Sequence, residues 1–72
     1  MKITLENTAR VVNANGVDCR VWEGTTASGI KVQALIAAIA ARDDEDLTEF
    51  ETELQELHPA SEVQAFPLRM IL

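Results

Sequence analysis

Asn15-Gly16 is the strongest local constraint in this chain. It lies between two runs suited to β-strand, Ala9 to Ala14 and Val17 to Trp22. A two-residue type I′ turn needs positive φ at both central positions, and Asn and Gly tolerate it best. A β-hairpin follows, and so tight a turn sets its register. Ala14 faces Val17, Val12 faces Cys19 and Arg10 faces Val21. On the other face Asn13 meets Asp18, Val11 meets Arg20 and Ala9 meets Trp22. The first face is mostly apolar, so Val12, Ala14, Val17, Cys19 and Val21 are expected in the core. Trp22 is expected opposite them, over or beside Arg20, where a second layer or a partner is needed to bury it.

The flanking segments add short elements. Met1 to Leu5 alternates weakly and reads as a first strand, broken by Glu6-Asn7-Thr8. Gly24 to Gly29 reads as a loop or a wide hairpin turn. The stretch from Ile30 to Ala41 supports two periods. Val32, Leu35, Ile36 and Ile39 recur at helical spacing, while Ile30, Val32, Ala34, Ile36 and Ala38 alternate as a strand. Gly29-Ile30 reads as a turn entering a strand, which favours the second. After the charged break at Arg42 to Glu45, a helix is expected from Asp46 to Leu57. Asp46 caps it with Glu49 three residues on, and Leu47, Phe50, Leu54 and Leu57 form its apolar stripe. Pro59 ends it. Val63 to Leu72 reads as a final strand, placed at an edge because Pro67 cannot donate to a ladder. The expected fold is α+β: a small antiparallel sheet of four to five strands with one helix packed on it, one domain over residues 1–72.

So short a chain buries only about 60% of its unfolded surface. Cys19 is its single cysteine, so it has no intramolecular disulfide. Cys19 and His58 together cannot make a four-ligand zinc site. No metal or cofactor is expected, and a partner or a second copy is the natural source of extra stability. The net charge of −6 argues against direct nucleic-acid binding and against docking on an anionic membrane. The N-terminus lacks a signal-like apolar run, and Val32 to Ala41 is too short to cross a bilayer. The cytoplasm is the expected compartment, with which the unpaired Cys19 agrees.

Catalysis is not expected. The hairpin register turns Cys19 inward as a small hydrophobe, and His58 reads as a helix-end residue near the negative pole. Two features suit binding. The first is the acidic helix: Glu49, Glu51, Glu53 and Glu56 follow Asp43 to Asp46, so eight of the twelve carboxylates lie between positions 43 and 56. That surface suits a basic protein; the plainer reading is a solvated helix face. The second is the stretch holding Arg20, Trp22, Glu23 and Thr25, with residue types enriched in binding hot spots or able to stack on a small ligand. The plainer reading there has Trp22 filling the second sheet face and Arg20 paired with Asp18 or Glu23.

Three stretches carry a resemblance: Met1-Lys2-Ile3-Thr4-Leu5-Glu6, the run Asn15-Gly16-Val17 through Arg20-Val21-Trp22-Glu23-Gly24-Thr25 to Ser28-Gly29-Ile30, and Pro67-Leu68-Arg69-Met70-Ile71-Leu72. The pattern resembles a group of short uncharacterised proteins encoded by phages and prophages. The resemblance implies a source, and supports a strand over residues 30–41, where that group is richer in β-branched residues. With the size and acidity, it leads to the expectation of a non-enzymatic phage accessory protein in the host cytoplasm. Such a protein would inhibit a host defence system through its acidic surface, or by sequestering a small-molecule ligand in a homo-oligomer. The alternative expectation is a virion structural or assembly protein, working through oligomerisation at the edge strand Leu68 to Leu72.

Overall fold

Asn15 and Gly16 adopt φ of +53° and +83°, the left-handed pair that the turn requires. The Asn13 side chain braces it, accepting from the Gly16 N–H at 3.0 Å and donating to Asp18 at 3.3 Å. In this computed structural model, which describes residues 1–61, the hairpin joins β1 (Ile3–Ala14) to β2 (Val17–Thr26). The register near the turn is as expected: Ala14 with Val17, Asn13 with Asp18, Val12 with Cys19 and Val11 with Arg20.

Beyond Arg20 the register differs. Trp22 pairs with Asn7 and not with Ala9. Thr8, Ala9 and Arg10 all face the single residue Val21, so β1 carries a bulge there. Glu6-Asn7-Thr8 therefore does not break the strand. Glu6 pairs with Glu23 and Asn7 with Trp22, and the two segments expected to be separate become one. The bulge is held from inside. The buried Thr8 hydroxyl donates to the Val21 carbonyl at 2.7 Å, and Arg20 Nη1 donates to the Thr8 carbonyl at 3.3 Å.

β2 runs on through Thr26, so the first half of the expected loop, Gly24 to Thr26, is strand. A turn at Ala27 to Ile30 follows, with Gly29 at φ +89°. β3 (Lys31–Ile36) then pairs antiparallel with Arg20 to Thr25. The alternating period of residues 30–41 prevails over the helical one, but only to Ile36. The sheet order is β1-β2-β3. Three strands stand among the described residues, not four to five. Two expected strands merge across the bulge, and the expected strand Val63 to Leu72, with the oligomer edge assigned to it, lies outside the described residues.

The one helix among the described residues, α1 (Leu47–Leu54), is N-capped by Asp46, whose carboxylate accepts from the Glu49 N–H at 3.1 Å. It ends three residues before the expected Leu57. The buried Asn7 side chain takes the Leu54 carbonyl at 2.9 Å, and the chain then leaves the helical path at Gln55. His58 is not a helix-end residue. It forms a parallel bridge beside Thr8, donating its N–H to Asn7 at 3.0 Å and accepting from Ala9 at 3.3 Å. β2 occupies the inner edge of β1, so this bridge lies on the outer one. Residues 37–57 thus carry the chain from the β3 side of the sheet to the far side of β1.

Strand alternation divides β2 between two faces. Cys19 and Val21 are buried on one, as expected. Val12 and Ala14 are only half-buried and Val17 is exposed, because the hairpin tip projects beyond the three-stranded region. Trp22 is half-buried on the other face, with Leu5 and Asn7. In α1, Phe50 and Leu54 are half-buried while Leu47 is exposed; Leu57, beyond its end, is exposed as well.

A candidate cation-binding cleft

The crossing segment leaves a cleft of about 280 Å³ between itself and the sheet. Its apolar lining is Leu5, Trp22, Ile39, Phe50 and Leu54. Each position has a local cause. The register with Asn7 sets Trp22 on the helix-bearing face. The N-cap at Asp46 sets the phase of α1, and its stripe then brings Phe50 and Leu54 to the cleft. Ile39 arrives because the chain must cross from β3 to reach α1.

The polar lining is Glu6, Asn7, Glu53, Glu56 and His58. Asn7 is occupied by the Leu54 carbonyl. His58 Nε2 lies 3.3 Å from Glu6, an ion pair when the imidazole is protonated, with both side chains more than half exposed. Glu53 lies in the last turn of α1 and Glu56 just past it, where the helix dipole is negative and no basic residue answers it. Among the described residues, no three acidic, His or Cys side chains gather closely enough to hold a metal ion.

The residues expected to bind are divided by the fold. Trp22, Glu53 and Glu56 come together in this cleft. Arg20 does not join them, and it pairs with neither Asp18 nor Glu23: its guanidinium ties down the Thr8 carbonyl. Glu23 and Thr25 belong to the opposite face by alternation. Glu49 is exposed on α1 outside the cleft. Phe50, read in the sequence only as packing, proves to be a cleft residue. Glu6 and His58 were legible only as a strand break and a helix end. Their pairing depends on the bulge and the His58 bridge, which leave no local sequence signal.

A second hollow, of about 440 Å³, is bordered by Glu23, Thr25, Lys31, Val32, Gln33 and Ser61. Glu23 is already engaged there. One carboxylate oxygen accepts from Gln33 Nε2 at 2.6 Å and the other from the Ser61 N–H at 2.9 Å. These bonds, the Gln33 one foremost and aided by the field of Arg10, hold its carboxyl below the ordinary range. Both oxygens being taken, Glu23 is a brace between β2, β3 and the post-helical segment.

Compared with family models, curated proteins and solved structures, the chain matches none of them. No helix among the described residues is long and apolar enough to cross a membrane.

Proposed function

We propose that this chain is a non-enzymatic accessory protein that works by binding a basic protein surface. The observation that carries the reading is the convergence of Glu53, Glu56 and Glu6 on one cleft beside Trp22. A solvated acidic face has no need of aromatic walls, whereas a docking surface gains affinity from a buried aromatic anchor ringed by charge. The resemblance of the Trp22 region to phage-encoded proteins makes a host protein, such as a defence component, the partner class. Sequestration of a small ligand in a homo-oligomer and a virion role are the alternative readings, and the cleft beside Trp22 favours docking over both.

The test uses a short arginine- and lysine-rich peptide and two charge reversals. Glu53→Lys and Asp18→Lys each move the net charge from −6 to −4, one at the cleft and one at the hairpin tip. Calorimetric titration is expected to show Glu53→Lys weakening binding about tenfold and Asp18→Lys less than about twofold. Equal losses would mean that net charge alone attracts the peptide, and the proposal would fail.

A further inference from the structure

We infer that the cleft between α1 and the sheet receives a single arginine side chain from the basic partner. The inference rests on the reading above and adds the chemistry of the contact.

Three carboxylates, Glu6, Glu53 and Glu56, line the cleft. The lining holds no lysine or arginine; its one basic side chain is His58, whose Nε2 lies 3.3 Å from Glu6. Glu53 and Glu56 stand at the negative end of α1 with no basic residue in its last turn, which is the unfavourable polarity for a helix. A cation seated between them would relieve both the mutual repulsion and the helix pole. The carboxylates do not close on a metal ion, so the cation that fits is an extended organic one. A volume of about 280 Å³ falls at the lower bound of small-molecule pockets, which suits one long side chain.

The walls choose between the two basic side chains. Trp22 and Phe50 bring aromatic rings to the lining, and Leu5 and Leu54 bring aliphatic side chains. Guanidinium is weakly hydrated, stacks on aromatic rings and donates in a planar fork to carboxylates, whereas ammonium is a strongly hydrated point charge. Arginine therefore loses less on entering an aromatic cleft, and gains more from paired carboxylates.

Trp22 is the only tryptophan, so its emission reads the cleft directly. The whole protein is titrated with N-acetyl-arginine amide, its uncharged isostere N-acetyl-citrulline amide and N-acetyl-lysine amide. The arginine compound is expected to shift Trp22 emission saturably, with citrulline at least about tenfold weaker and lysine weaker than arginine. Glu53→Gln and Glu56→Gln, both at exposed positions, are expected to weaken arginine binding without altering circular dichroism. Equal response to arginine and citrulline, lysine binding as tightly as arginine, or indifference to both glutamine variants would each overturn the inference. Basic-peptide binding that survives Trp22→Leu unchanged would overturn it too, while leaving the acidic docking surface standing.

Discussion

At the scale of single residues, Gly24 is the one glycine of the three that leaves no room for a side chain. A Cβ built there would lie 1.7 Å from the Thr4 carbonyl oxygen, with the Leu5 backbone also inside contact distance. The obstacle is backbone across the β1–β2 ladder, so no side-chain rearrangement clears it. Gly24→Ala is expected to cost about 3 kcal/mol or more in urea unfolding, or to prevent folding. Gly16 needs glycine for a different reason, its φ of +83°, with open space around it. Gly16→Ala is expected to cost about 1–2 kcal/mol. The same unfolding curves would refute this contrast if the two losses were equal. Asn15-Gly16 was legible because a turn is local, while the need at Gly24 is set by a strand twenty residues away. Glu23 adds a pH effect. Its carboxyl is lowered from 4.5 by Gln33 and then Ser61, so its stabilising contribution is complete above the unfolded-state value and is lost as pH falls through the folded one. Glu23→Gln is expected to flatten the fall in stability with acid below about pH 4.5, read by denaturation at successive pH values.

At the scale of elements, the sheet and the helix are held very differently. β1 and β2 share a long ladder, a close-approach glycine and the buried Thr8 bond to Val21. α1 has eight residues, none buried, and a helix so short gains little from its own bonds. What ties it down is the Asn7 bond to Leu54 and the bridge at His58. Hydrogen exchange is expected to show α1 amides opening at lower free energy than those of Cys19 to Glu23. Asn7→Ala is expected to lower α1 protection further and to cost about 1–3 kcal/mol, because it strands a helix-end carbonyl. Uniform protection across sheet and helix would contradict this. The start of α1 could be read from Asp46 and Glu49. Its end could not, because the residue that takes the last carbonyl comes from β1, forty-seven positions earlier in the chain.

At the scale of the whole molecule, charge and thin packing act together. Cys19 and Val21 are the only buried apolar side chains among the described residues, and the net charge is −6. Eight carboxylates between positions 43 and 56 repel one another, a cost that screening reduces. Raising sodium chloride from about 0.01 M to about 1 M shortens the screening length from about 30 Å to about 3 Å. Tm is expected to rise by several degrees, since about 1 kcal/mol moves a domain of this size by about 4–8 °C. A fall in Tm with salt would show that attractive pairs, such as Glu6 with His58, outweigh the repulsion.

The chain's own order of residues determined the hairpin turn, the burial of Cys19 and Val21, the placing of Trp22 on the opposite face, the cap of α1 and the location of the acidity. Each depends on neighbours within a few positions, or on alternation along one strand, and so is written locally. Tertiary structure decided the bulge at Thr8 to Arg10, the end of α1 at Leu54 and the roles of Arg20 and Glu23 as ties to other segments. It also decided the cleft. Buried amides and carbonyls must find partners wherever the chain returns, and His58 and Asn7 are where it does.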